Sequence, residues 1–247
     1  MFDDTDDTEL AEHNLKFVIV GDGASGKTSI CSRFAQSQFS NSYAQTVGLD
    51  FFSKRISFVN GTVCVHIQLW DIGGQTLGGP MLDKYIYGSH ATLICYDLSN
   101  EASFHNAHDW FRTVRTLCTT QETPPHLALI ANKSDLQHAR AVTAEQHIKF
   151  ADRYGMSNHI VSAKTGDNIR LCFHSIAAEV LGIRLQQRDI ERYQDSVVAN
   201  IRDLDHQILA SRSGCSLEAE HSNFANGSAP QIVAGKESKS SKACSIQ

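Results

Sequence analysis

The chain has 247 residues, enough for one domain with a large core plus additional sequence. Hydrophobic residues make up 41% and charged residues 20%, the balance of a soluble globular protein. Net charge is −5, from 22 Lys plus Arg against 27 Asp plus Glu, which argues against the basic stripe of a nucleic-acid binder.

Residues 1–13 read as an acidic N-terminal extension with no basic or apolar signal-peptide region, and no later apolar run reaches the length of a membrane span. Leu15 to Val20 is a short apolar run, expected as a buried strand. A Gly-rich turn follows, then a helix over Lys27–Ala35, then a polar irregular stretch over 37–48. Leu49–Val59 and Thr62–Trp70 are expected strands; Val63, Val65, Ile67 and Leu69 share one face at period two. Asn60-Gly61 between them is a strong hairpin signal.

Ala91–Tyr96, Leu127–Ala131 and His159–Ser162 read as further strands, with helices over Ser103–Leu117, Thr143–Tyr154 and Ile169–Leu181. Short apolar strands alternating with helices imply a mostly parallel sheet covered on both faces. The expectation is a six-stranded, doubly wound α/β domain over 14–183 with one antiparallel edge strand. Residues 184–210 carry apolar positions at Ile190, Tyr193, Val197, Ile201, Leu204 and Ile208, the spacing of an amphipathic helix. That helix either packs back on the domain or binds a partner. From 211 to 247 the Ser, Ala, Asn and Gly content predicts disorder.

The seven cysteines, Cys31, Cys64, Cys95, Cys118, Cys172, Cys215 and Cys244, form no C-x-x-C pair. They suggest neither a zinc site nor a disulfide framework, but thiols of a reducing, cytoplasmic compartment. The histidine pairs His105/His108 and His138/His147 lack the carboxylate company of a metal site and read as solvated faces or core residues. No G-x-S-x-G elbow supports serine hydrolase chemistry.

Gly21-Asp22-Gly23-Ala24-Ser25-Gly26-Lys27-Thr28 matches G-x-x-x-x-G-K-[ST] between an expected strand and helix. Glycines let the backbone wrap phosphates, and successive N–H groups form an anion nest at a helix N-terminus. Lys27 is placed to reach the β- and γ-phosphates and the Thr28 hydroxyl to ligate magnesium. This motif leaves ATP and GTP both open.

Asn132-Lys133-Ser134-Asp135, after a buried strand, matches the N-K-x-D base-reading motif of guanine-nucleotide switches. A carboxylate at Asp135 can accept from guanine N1–H and the N2 amino group together, a donor pair adenine lacks; a wrong base leaves that charge unpaired. Asn132 is expected to hold guanine N7 and tie this loop to the phosphate loop, and the Lys133 stem to cover the ring.

Together with Thr46, Asp71–Gln75 and Ser162-Ala163-Lys164, these motifs occur in the order and spacing of the Ras superfamily, and the chain resembles a Rab-type small GTPase. Thr46–Phe51 resembles the Rab effector segment, and the departure of Trp70–Gln75 from the usual Rab pattern, with Leu49-Asp50-Phe51-Phe52 and Met81–Gly88, resembles the divergent Rab twenty-eight branch. The resemblance implies a P-loop small G domain that binds GTP or GDP with Mg2+ and hydrolyses GTP. It implies nucleotide contacts along Gly21–Thr28 and Ser29, at Phe39, Tyr43, Thr46, Asp71 and Gly74, and at Ser162, Ala163 and Lys164. The Ala163 N–H meets guanine O6, and Phe39 packs on the guanine edge. Thr46 and Asp71 join Thr28 around the magnesium, Asp71 through a water. The Gly74 N–H meets the γ-phosphate and Gln75 orients the attacking water, so Gln75, Lys27, Thr46 and Gly74 form the catalytic set.

The resemblance further implies a monomer with an exchange factor, an activating protein and effectors, acting on endosomal, vesicular or ciliary membranes from their cytosolic face. Gly73 and Thr76 depart from the usual Rab W-D-T-A-G-Q-E, and Gly78-Gly79-Pro80 follows, so the second switch is expected to be more mobile than in a typical Rab. Cys244-Ser245-Ile246-Gln247 fits C-a-a-X, a farnesylation pattern, with Lys236, Lys239 and Lys242 nearby. One lipid chain predicts reversible attachment. Two other readings remain: a P-loop ATPase or kinase, and a GTP-sensing scaffold with negligible hydrolysis.

Overall fold

Six apolar or half-apolar runs pair into one sheet, and its order places the crevice in which a ligand can sit. A computed structural model describes residues 11–58, 62–119 and 121–194. The strands are β1 (Ala11–Val20), β2 (Leu49–Phe58), β3 (Val63–Ile72), β4 (Ala91–Asp97), β5 (His126–Asn132) and β6 (Ser157–Ile160). The helices are α1 (Lys27–Gln36), α2 (Leu82–Ile86), α3 (Glu101–Cys118), α4 (Ala144–Tyr154), α5 (Ile169–Leu181) and α6 (Gln187–Tyr193). Strand order is β2-β3-β1-β4-β5-β6, with β2 antiparallel to β3 and every other pair parallel.

Period-two alternation in β1 divides the core into two layers. Phe17 and Ile19 face a cluster with Ile30, Phe34 and Phe173 from α1 and α5. Val18 and Val20 face a second cluster with Leu82, Trp110 and Phe150 from α2, α3 and α4. β4, in the middle, is buried at all seven positions, as expected of a parallel strand covered on both faces. Polar N-caps start the helices: Asn100 accepts from Ser103 N–H at the start of α3, and Thr143 with Gln146 forms a capping box at the start of α4. Because β1 is flanked by β3 on one side and β4 on the other, connections leave it in opposite directions. The crevice this creates lies at the carboxyl ends of the strands.

The expected six-stranded α/β sheet is present, with differences at its margins. β1 begins at Ala11, inside the segment expected as an extension, because ladder hydrogen bonds need no apolar side chains: Glu12, His13 and Asn14 are exposed yet pair with Cys64, Val65 and His66. β6 runs over Ser157–Ile160, two residues earlier than His159–Ser162. Val161 leaves the strand to bond Ala131 O, at 2.8 Å, and Ser134 N–H, at 3.1 Å. α2 was not anticipated, since five residues after Pro80 are too few to display a helical period.

α6 forms within the expected amphipathic stretch and packs back on the domain. Tyr193 stacks on His174 at 3.8 Å and its hydroxyl donates to Ser57 O at 3.4 Å. The Asn60-Gly61 turn, the remainder of that amphipathic stretch from 195, the tail over 211–247 and Cys244 lie outside the described residues.

Candidate functional site

A cavity of about 670 Å3, well inside the range of small-molecule sites, opens at the carboxyl ends of the strands. It is lined by Gly23, Ala24 and Gly26 to Ser29 at the start of α1, by Phe39 and Tyr43 to Thr46, by Gly74 and Gln75, and by Asn132, Lys133, Asp135, Ala163 and Lys164. Chain segments separated by more than a hundred residues thus converge on one space. Gly21, Asp22, Ser25, Asp71 and Ser162, also expected at the site, do not line it; they hold the residues that do.

The phosphate loop is shaped from inside by Lys27. Its Nζ donates to Gly21 O and to Asp22 O, both at 2.8 Å, which folds the side chain across the loop. The amine is buried, and burial, opposed by the nearby charges of Cys95, Asp71 and Asp22, lowers its pKa from the ordinary value. Ser25 Oγ donates to Asp22 O at 2.9 Å and so serves the loop rather than the cavity. The Asp22 carboxylate points away from the cradle, taking bonds from Trp110 Nε1 at 3.0 Å and Asn106 Nδ2 at 2.6 Å.

At one edge of the cavity three oxygen-bearing side chains meet. Thr28 Oγ1 lies 2.8 Å from Thr46 Oγ1 and 2.5 Å from Asp71 Oδ2, and Thr46 Oγ1 donates to the same Oδ2 at 3.4 Å. Asp71 is fully buried, and burial raises its pKa despite the help of Thr28, Lys27 and Thr46. Its Oδ1 is buried without a hydrogen-bond partner. A carboxylate with one unsatisfied oxygen beside two hydroxyls is the donor set of a hard divalent cation, so the residues present fit magnesium.

Gly74 abuts the phosphate loop so closely that a Cβ there would lie 2.2 Å from Gly23 N, which requires glycine. Gln75 follows it on the cavity wall. Upstream, the Gly73 N–H donates to Gly48 O at 2.9 Å, joining the two segments that flank this edge.

The opposite end is cross-linked by side chains. Asn132 Nδ2 donates to Ser25 O at 2.8 Å and Asn132 Oδ1 accepts from Ala163 N–H at 3.1 Å, so one amide ties three loops. The Ala163 N–H, expected to meet a base, therefore already has a partner. Ser162 Oγ donates to Asp135 Oδ1 at 2.6 Å, and Lys164 Nζ lies 4.0 Å from Asp135 Oδ2. Lys133 sits in the left-handed region at φ 66°, and its Nζ is held by Asp97 Oδ2 at 2.7 Å.

Two residues of this end were missed in the sequence. Arg33 donates to Ala163 O at 2.9 Å and Lys164 O at 2.5 Å, with its guanidinium over the Phe39 ring. No local pattern marks it. Asp97 had a signal, since it is a carboxylate at the carboxyl end of a wholly buried strand. Of the histidine pairs, His147 is a fully buried core residue, and among the described residues there is no cluster of three or more His, Cys, Asp or Glu side chains that could hold a metal.

A family model described as the Ras family matches residues 16–182. The Ras-related protein Rab-28 of Caenorhabditis elegans is 46% identical over 207 residues, covering 82% of this chain and 81% of that protein.

Proposed function

This chain belongs to the Ras family of small GTPases as a Rab-type member and is a GTP hydrolase, and from that premise we propose how its own residues run the switch. Asn132 is the observation that carries the assignment. It hydrogen-bonds the phosphate loop at Ser25 and the base loop at Ala163, so one cavity serves both ends of a nucleotide. Asp135, steadied by Ser162, reads guanine N1–H and N2. Lys133, held by Asp97, lays its stem along the base, and Phe39 flanks it under Arg33.

Lys27 and the N–H groups of Gly23 to Thr28 take the phosphates. Thr28 and Thr46, with Asp71 through a water, would hold the magnesium, which would neutralise charge developing on the phosphate oxygens. Gln75 orients the attacking water while Gly74, seated on Gly23, presents its N–H to the γ-phosphate. Loss of that phosphate releases both segments, which the short Gly73–Gly48 link joins. The intrinsic rate for such sites is on the order of 10⁻⁴ s⁻¹, and an activating protein adds roughly 10⁵-fold.

The exposed aromatic surface beside the switches supports effector docking in vesicle or endosomal traffic. Phe51, 58% exposed, meets the Trp70 ring edge-on at 4.7 Å, and Tyr85 lies 6.5 Å beyond. Phe51 follows the Thr46 segment and Tyr85 follows Gln75, so this surface changes when either moves. Reversible membrane attachment through Cys244 is supported by the C-a-a-X match. Equal incorporation of labelled isoprenoid by wild type and Cys244→Ser would refute it.

The deciding experiment is release of fluorescent GDP, competed by GTP, ATP and XTP. Competition by GTP alone is expected; equal competition by ATP overturns the base-reading assignment. Single-turnover hydrolysis, alone and with activating extract, separates the slow enzyme from a GTP-sensing scaffold.

A further inference from the structure

Asp22 occupies an unspecified position of the phosphate-loop motif, yet it is among the most heavily bonded residues of the loop. Its carbonyl faces inward and accepts from Lys27 Nζ at 2.8 Å and Ser25 Oγ at 2.9 Å. Its carboxylate faces outward and is held at both oxygens by α3, Oδ1 by Trp110 Nε1 at 3.0 Å and Oδ2 by Asn106 Nδ2 at 2.6 Å. We propose that Trp110 and Asn106 are positioning residues for phosphate binding: by clamping the Asp22 carboxylate they fix the peptide that carries the phosphate cradle. This rests on the guanine-nucleotide reading above and names a device within it.

Three physical points support the clamp. A carboxylate free to rotate beside the loop would repel the phosphates that the loop gathers, and two neutral donors hold it outward. Hydrogen bonds to a charged acceptor are about twice as strong as neutral ones, so the pair is worth more than ordinary loop contacts. The anchor does not yield, since Trp110 is 0% exposed and shares a core cluster with Leu82 and Ile86 of α2. The peptide so fixed is also the seat of the second switch. A Cβ on Gly74 would lie 2.6 Å from the Asp22 carbonyl carbon and 2.2 Å from Gly23 N. A shift of residues 22–23 therefore displaces both the phosphate cradle and the Gly74 contact.

The clamp should act on the phosphate-borne part of nucleotide affinity and leave base recognition alone. The test uses the full-length protein with magnesium and compares GDP with GMP, which lacks the β-phosphate. Asn106→Ala removes one donor from an exposed position, and Trp110→Phe removes the indole N–H while keeping a ring in the core. In the double variant the preference for GDP over GMP is expected to fall about tenfold, through faster GDP release, with GMP affinity within about twofold of wild type. If the double variant does not fold, Asn106→Ala alone should lower the preference about threefold. An unchanged preference in a folded variant overturns the proposal. So does an equal loss for GDP and GMP, which would mark α3 as general scaffolding. If the wild-type chain bound no GDP at all, the guanine reading itself would fall, and this inference with it.

Discussion

The base-reading end and the switch end of the cleft are built to different standards. At the first, Asn132 bonds two other loops, Ser162 secures Asp135, Asp97 secures Lys133, and Arg33 holds both Ala163 and Lys164 by their carbonyls. At the second, Thr28, Thr46 and Asp71 share a few oxygen contacts and one backbone bond joins Gly73 to Gly48. Around them Tyr43 is 68% and Val47 89% exposed. A site that must recognise one base in every state benefits from a pre-formed reader. A segment that must answer to a single phosphate needs a closed state only slightly favoured over the open one.

If the base end is pre-formed, a small change in it should be expensive and should not spread. Asp135→Asn replaces the carboxylate by an amide that cannot accept from both guanine donors. GDP affinity is expected to fall by on the order of 10³-fold, with xanthine nucleotide gaining, while the melting temperature of the nucleotide-free protein changes little. Competition by GDP and XDP measures it. At the switch end the converse holds. Gln75→Leu should slow single-turnover hydrolysis by about 10²-fold and leave GDP affinity within about twofold. Loss of GDP affinity in that variant would mean that the two ends are not separable.

The same division decided what could be read from the sequence. Apolar runs such as Leu127–Ala131 announce buried strands because burial on both faces leaves no other composition. The first residues of β1, Glu12 to Asn14, are held by ladder bonds and exposed polar contacts, Glu12 to Arg55 and Asn14 to His66, and carry no such mark. Motif residues were legible where chemistry restricts the side chain: Lys27, Thr28, Asn132 and Asp135 all line the cavity. Asp22 was placed at the nucleotide, but its carboxylate turns to α3, because a motif position does not state which way a side chain points. Arg33 was invisible, since its partners are backbone carbonyls 130 and 131 residues away.

The two ends should also respond to acid with opposite sign. His147 on α4, just beyond the base loop, is fully buried with Nε2 unpartnered, and burial pushes its pKa down to about 4 from 6.5. Between those values the unfolded chain binds the proton and the folded one does not, so stability present above pH 6.5 is lost on acidification. The loss from pH 7 to pH 5 is about 2 kcal/mol. Asp71 behaves inversely: burial raises its pKa from the ordinary 3.8, so its contribution is present at low pH and is lost as pH rises through its raised pKa. Denaturant unfolding of the magnesium-free protein against pH should show destabilisation toward pH 5, and His147→Phe should reduce that slope without abolishing it, because burial also pushes the His159 pKa down to about 4. A slope untouched by the substitution would move the titration elsewhere.

The smallest expected effect tests the weakest link. At Gly73 an added Cβ would lie 2.5 Å from Thr46 O and 3.4 Å from both Gly48 N and Gly48 O. Thr46 belongs to the backbone of the first switch, so Gly73→Ala must push that segment outward by several tenths of an ångström. The displacement lengthens the Thr46 contact to Asp71, already 3.4 Å, before it reaches anything at the base end. A distortion of about 1 kcal/mol corresponds to roughly fivefold in an equilibrium. The preference for GTP over GDP should therefore fall about fivefold, while GDP affinity stays within about twofold. The missing methyl would then be what lets the two switches close on one another through backbone alone. If GDP affinity fell as far as GTP affinity, the strain would have travelled through Asp71 to the phosphate loop, and the loosely tethered edge would be stiffer than its few bonds suggest.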